Sequence, residues 1–189
     1  MRKKILIVLF LLLLLSTGQA LAGSFDVDPR YSTVMFKLKN PSGHLVGFFG
    51  RFEGTVGLNE DNSRVVNLKA IVDTASVSTA QSQRDRDLLG DDFLAVKKYQ
   101  TAIFTAKKIL DGQLTGDLTF RGKTKEITLT YVLGEATPDL SGQKVAAVLL
   151  QGKVSRKDFG INFNPKLEGG GLLFGDEVGL VVELRGVLK

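Results

Sequence analysis

Few residues in this chain are equipped for chemistry. It has 189 residues, one histidine, His44, and no cysteine. The missing thiols remove disulfides, thiolate metal sites and lipid attachment to cysteine. Nucleophilic triads and histidine metal centres also lack parts. His44 follows Ser42-Gly43, a turn signal, and reads as a solvated loop histidine, with ligand contact as the alternative. Carboxylates remain: Asp85, Asp87, Asp91 and Asp92 cluster. That cluster would suit paired-acid chemistry or an oxygen-liganded cation. Arg84, Arg86, Lys97 and Lys98 are interleaved with it, however. The mixture is the pattern of caps and exposed ion pairs on a short helix, each worth roughly 0–1 kcal/mol. Gly169-Gly170-Gly171 has no following Lys-Ser/Thr pair, so a phosphate loop is not indicated. The inventory favours binding over catalysis.

The elements that must position these residues are mostly strands. Thr33 to Lys39 alternates, with Val34, Phe36 and Leu38 on one side. Leu45 to Leu58 reads as one long strand with four glycines. Phe49 and Phe52 differ in parity, so a bulge between them is expected if both face inward. Val65 to Val72 alternates through Val66, Leu68, Ala70 and Val72. Further strands follow at Ala102 to Ile109, Gln113 to Phe120, Glu126 to Leu133, Lys144 to Ser155 and Glu177 to Leu188. The segment Ser82 to Phe104 is the helical exception. Leu88, Leu89, Phe93, Leu94, Val96 and Tyr99 form its apolar side, and Gly90 splits it into two short helices. Asp91 or Asp92 would cap the second. Eight or nine strands joined mostly to their sequence neighbours fold into an up-and-down barrel or a sandwich. A barrel of about eight strands removes exposed edges and can hold one small ligand.

The chain begins as an export signal. Arg2, Lys3 and Lys4 precede an apolar run from Ile5 to Leu15, and Ala20-Leu21-Ala22 fits a cleavage site before Gly23. Such a run is too short to span a hydrocarbon core of about 30 Å. Residues 1–22 are therefore expected to be a signal peptide and 23–189 a single domain, placed in the periplasm or secreted. The formal charge of +5 owes three of its positive residues to the leader, so nucleic acid is not an expected partner.

Several motifs follow one another in a specific order. They run from Asp28-Pro29-Arg30-Tyr31-Ser32 through Gly47-Phe48-Phe49-Gly50-Arg51-Phe52-Glu53-Gly54. They continue with Arg84-Asp85, Leu88, Asp92-Phe93, Lys98-Tyr99 and Phe104, then Gly116-Asp117-Leu118-Thr119-Phe120-Arg121-Gly122 with Thr124-Lys125. They end with Arg156-Lys157-Asp158-Phe159-Gly160-Ile161 and Gly175-Asp176-Glu177-Val178. In this order and spacing the chain resembles the YceI family of polyisoprenoid-binding proteins. Tyr31, Asp87 and Gln100 stand where the family commonly has His, His and Pro.

The resemblance implies an all-β, lipocalin-like extended antiparallel barrel with a short helical insertion after the third long strand. It implies an exported, non-enzymatic protein that sequesters or carries a polyprenyl chain, quinone-like or a precursor, and no cofactor. Composition alone does not separate a hollow barrel from a filled one. Two alternatives therefore stand beside the carrier: an enzyme acting on isoprenoids on the same barrel, and a solid-core stress-response or adhesion module. For a hollow barrel the expected ligand-contacting residues are Phe36, Leu38, Phe49, Phe52, Val56, Leu68, Leu88, Phe93, Phe104, Leu118, Phe120, Leu129, Phe159 and Ile161. The family signatures also suggest structural ion pairs at Arg84, Asp85, Arg156 and Asp158, with lipid-headgroup contact as the alternative for the two arginines. Transient membrane contact and a homodimer through strand edges complete the expected partners.

Overall fold

The computed structural model describes residues 23–110 and 112–189, so the expected leader lies outside the described residues. Among them are β1 (Gly23–Asp26), β2 (Thr33–Asn40), β3 (Gly43–Phe49), β4 (Phe52–Leu58), β5 (Val65–Asp73) and β6 (Val77–Ser78). The helix α1 (Ser82–Leu89) follows, then β7 (Thr101–Leu110), β8 (Gln113–Phe120), β9 (Lys123–Leu133), β10 (Thr137–Pro138), β11 (Lys144–Ser155) and β12 (Glu177–Val187). One antiparallel sheet runs β1-β4-β5-β7-β8-β9-β11-β12-β2-β3-β6, with β10 paired to β11.

This order closes on itself. β3 and β4 are separated only by Gly50 and Arg51, yet they lie near opposite ends of the sheet path. The chain through these two residues therefore joins the ends, and the sheet rolls into a lipocalin-like barrel. The expected single strand with one bulge is instead a corner. The β3 half pairs with β2 and β6, and the β4 half pairs with β1 and β5. Gly50 N donates to Ser76 O at 3.1 Å and Asp73 N donates to Arg51 O at 2.9 Å, which satisfies the corner's backbone. At the other end of the barrel β1 meets β12 through Asp28 N to Arg185 O and Lys189 N to Ser24 O. Gly186 is needed at that crossing, because a Cβ there would run into the Asp26 carbonyl.

The pleat sets which side chains face in. β8 sends Leu114, Gly116, Leu118 and Phe120 inward, and β9 sends Ile127, Leu129, Tyr131 and Leu133, as their alternation requires. In β5 the register shifts opposite Gly57 and Leu58, so Val65 rather than Val66 takes the buried place ahead of Leu68. His44 lies in β3 opposite Lys39 and is exposed, not in a loop.

The interior has two halves. Phe25, Val56, Leu58, Leu68, Leu114, Val148 and Leu184 are essentially fully buried and pack together at one end. The other end is hollow. Only one of the two expected helices forms: α1 stops at Gly90, and residues 91–94 turn without making a second helix.

The two halves differ in what a lost methyl should cost. Leu114→Ala at the packed end is expected to destabilise by about 2–5 kcal/mol. Leu118→Ala, on the same strand face but bordering the void, loses fewer contacts and should cost about 1–2 kcal/mol. Urea unfolding of the two variants checks the difference.

Candidate functional site

The hollow half is a cavity of about 770 Å³. Its floor is shared with the packed end: Leu68, Phe104, Leu129, Leu150 and Leu184 belong to both. Of the residues expected to contact a ligand, Phe36, Leu38, Phe49, Phe52, Leu68, Leu88, Phe93, Phe104, Leu118, Phe120, Leu129, Phe159 and Ile161 line it. Val56 does not. Its place on β4 is below the floor, paired with Phe25 on one side and Leu68 on the other, so it belongs to the packed core. Both Phe49 and Phe52 face the cavity, and the two-residue corner achieves the parity change for which a bulge was expected. Phe49 and Phe36 pack at a tilt with ring centroids 5.7 Å apart. Gly47 makes room for them, since a Cβ there would strike the Phe36 ring.

One side of the mouth is α1 and the turn after it. Gln81 caps the helix by accepting from Arg84 N at 2.8 Å. The N-terminal turn is then tied to the barrel through Thr79, a buried residue. Asp85 accepts from Thr79 N at 2.7 Å and from Thr79 Oγ1 at 2.5 Å. Arg84 donates from Nε to Thr79 Oγ1 at 2.7 Å and from NH2 to Thr79 O at 3.0 Å. Arg84 and Asp85 are therefore a hydrogen-bonded clamp on Thr79, not the ion pairs the signature suggested. The Thr79 bonds are the leading cause of a lowered Asp85 pKa. Leu88 then faces the cavity from the last turn of the helix.

The facing side is the segment from Arg156 to Asp176. Arg156 is buried, and each of its nitrogens is used. Nε donates to Gly175 O at 2.9 Å, and NH1 donates to Ile161 O at 2.9 Å and Phe163 O at 2.8 Å. NH2 reaches Asp176 Oδ1 at 3.3 Å. Its charge partner is thus Asp176. Asp158, the expected partner, is exposed and stands outside the ion pairs of the described residues, because the 3-10 turn Arg156–Phe159 points it away from the guanidinium. Lys157 joins the same carboxylate at 2.6 Å. With its donors engaged, Arg156 braces the loop rather than offering itself to a ligand.

A third clamp spans the two sides. Arg121 sits at the β8–β9 hairpin tip, where it and Gly122 both adopt positive φ, the two-residue turn that suits a twisted hairpin. Its NH1 donates to Gly160 O at 2.6 Å and its NH2 to Asp91 O. Aromatic rings fill the gap between the sides: Phe93 packs edge-on against Phe163 at 5.3 Å and Phe174 at 6.2 Å. The polar residues of the lining, Asn40, Arg84, Asp87, Asp91, Asp92 and Arg156, come from elements at this mouth end. The deeper wall is apolar. Tyr31 lies elsewhere, exposed between Arg30 and Arg185 beyond the packed end, whereas Asp87 stands at the mouth. Among the described residues no three His, Cys, Asp or Glu side chains converge as a metal site would require.

Thr79, Arg121 and Asp176 are the mouth residues that sequence reasoning did not single out for these roles. Thr79 sat in a polar bridge with no periodicity to mark it. Arg121-Gly122 was legible as a turn, but its reach to residues 91 and 160 was not.

Comparison with known proteins fits this geometry. A family model described as a YceI-like domain matches residues 25–185. Protein YceI of Escherichia coli O157:H7 is 34% identical, over 99% of this chain and 98% of its own length. The crystal structure of Burkholderia cenocepacia BcnA superposes with a TM-score of 0.70 at 19% identity, covering 85% of this chain and 99% of that one. A polyisoprenoid binding domain from Saccharophagus degradans gives 0.57 at 14% identity, covering 90% and 100%. The last two likenesses speak for the fold.

The Asp176 clasp makes the mouth sensitive to acid. The Lys157 ammonium first, then Arg156, holds the Asp176 carboxyl below its ordinary value of 3.8. A carboxyl lowered in the folded state stabilises fully above that value and loses its contribution as pH falls through the lowered one. Hydrogen-exchange protection of residues 161–176, corrected for intrinsic rates, should therefore hold down to about pH 4 and fall below it. Asp176→Asn should show weakened protection at neutral pH and lose this pH dependence.

Proposed function

The chain belongs to the YceI family, and from that premise we propose that it is an exported carrier that sequesters a polyprenyl chain, quinone-like or a precursor of one, in the hollow half of its barrel. The observation that carries the reading is the cavity itself: about 770 Å³, apolar in depth, polar only at its mouth. That distribution suits a long hydrocarbon with a small polar end. Each isoprene unit has five carbons, and at ~0.8 kcal/mol per buried carbon it contributes up to ~4 kcal/mol gross. Chain ordering and association offset part of this. A few units therefore suffice for firm binding without a dedicated polar contact.

The same distribution favours binding over catalysis. A reaction would need polar groups at the depth where the chain lies, and the wall there is Phe, Leu and Val. The family and the polyisoprenoid-binding fold relative support a lipid-binding role in the same sense. The leader at residues 1–22 supports carriage across an aqueous compartment outside the cytoplasm. The helix α1 with the turn at Phe93 acts as the lid through which the chain enters, because Leu88, Phe93 and Leu94 are the apolar lining residues contributed from outside the strand wall on that side.

Native mass spectrometry of the exported protein tests the proposal. The expected result is a retained apolar adduct of several hundred daltons, lost on denaturation. Clean apo protein under gentle conditions, together with no uptake of added polyprenol, would count against a carrier. Leu88→Asp with Phe93→Asp should reduce uptake on the order of tenfold or more while leaving the unfolding midpoint near that of the wild type. Equal loss of both would remove the lid.

A further inference from the structure

Beside the mouth stands a small hairpin whose base lines the cavity and whose tip does not. Asn164 closes its base: Nδ2 donates to Phe174 O at 2.7 Å, and Oδ1 accepts from Phe174 N at 2.9 Å. Leu173 N donates to Pro165 O at 3.1 Å, and Lys166 bridges to Leu172. The tip turns through Gly170 and Gly171, both at positive φ, with Leu167 N donating to Gly171 O. Among the described residues, chain neighbours aside, nothing lies within 4 Å of where a Cβ would stand on Gly169, Gly170 or Gly171. The device is a hydrogen-bonded stalk with open space around its tip glycines.

Three of its exposed side chains are large and apolar. Phe163, Leu167 and Leu172 are 42%, 36% and 50% exposed. Single exposed hydrophobics elsewhere, such as Val132 and Leu110, are scattered over the barrel and need no explanation. Three on one ten-residue stretch at the mouth are a different matter. Leu167 and Leu172 do not line the cavity, but Phe163, Leu173 and Phe174 do. Apolar residues therefore recur from the cavity wall, at Phe163, Leu173 and Phe174, to the tip, at Leu167 and Leu172. Lys166 and Glu168 give the tip one charge of each sign.

We propose that this hairpin docks the mouth on a lipid bilayer by inserting Leu167 and Leu172 into its interface. The proposal rests on the carrier reading in one respect: the cargo of such a cavity is dissolved in a membrane. With the tip in the bilayer, the cavity-lining Phe163, Leu173 and Phe174 are brought next to the membrane, which shortens the passage of a hydrocarbon chain through water. The balanced tip charge makes the insertion an apolar event, only weakly dependent on salt or on anionic lipid.

The experiment uses phosphatidylcholine vesicles containing geranylgeraniol, and the same alcohol delivered from methyl-β-cyclodextrin with no membrane present. Wild type is expected to co-sediment with the vesicles and take up the alcohol from both sources. Leu167→Asp with Leu172→Asp is expected to lose vesicle partitioning on the order of tenfold, and uptake from vesicles with it. Its uptake from cyclodextrin should be unchanged, which also shows that it folds. The chain has no cysteine, so Leu172→Cys carries a single environment-sensitive fluorophore. Its emission should shift to the blue on adding vesicles, whether or not they contain the alcohol. Equal partitioning of wild type and double variant overturns the proposal. So does a wild type that ignores vesicles, or a hairpin that is instead buried in a dimer seen by sedimentation. Failure of wild type to take the alcohol from cyclodextrin defeats the carrier reading itself, and the fluorophore still scores insertion separately.

Discussion

A rolled sheet must dispose of the inside face that its pleat creates. Every second residue of eight long strands, counting β3 and β4 as one bent strand, points at the same axis. A barrel of this size is just wide enough for side chains to fill or for one ligand to occupy. This chain does both along one axis. At the closed end β1 is wedged between β4 and β12, and Phe25, Leu58 and Leu114 meet in the middle. Toward the mouth, among the described residues, the added strand is only the two-residue β6 beside β3, and the inward Phe and Leu side chains line a void instead of meeting across it. The cavity is thus a consequence of where the extra strand is and is not.

A hollow end must be kept open without exposing unpaired polar backbone. Three clamps do this with side chains. Thr79 holds α1 through Asp85 and Arg84, Arg156 holds the carbonyls of the 161–175 segment, and Arg121 links the turn at Asp91 to Gly160. Each satisfies backbone groups that a strand would otherwise have paired. The clamps sit outside the apolar depth, so they hold the mouth in shape without placing charge where a hydrocarbon would lie. Between them Phe93, Phe163 and Phe174 form contacts that depend on no directional bond and can open at small cost.

The sequence made the periodic parts of this architecture readable. β8 and β9 alternate cleanly, so their inward faces could be named residue by residue, and Leu118, Phe120, Ile127 and Leu129 of the cavity wall follow from that alone. The hollow itself was not in the periodicity, since Val56 and Leu118 look alike in a strand pattern although one is core and the other wall. Depth along the barrel is a property of strand pairing, not of alternation. The β3–β4 corner was misread for a related reason. Nothing local tells a bulge from a break; what decides is that the two halves find different partners. Arg156 and Asp176, twenty positions apart, were quoted in separate motifs, and only the folded loop brings them together.

The account stands on the cavity being a receptacle of fixed depth. A chain packed at the density of organic crystals fills a void of about 770 Å³ after a limited number of isoprene units, on the order of several. Titration calorimetry with polyprenols of increasing length is the direct measurement. Affinity should rise with each added unit and level off near that number, as further units find only solvent. An affinity that does not change with chain length would contradict the account.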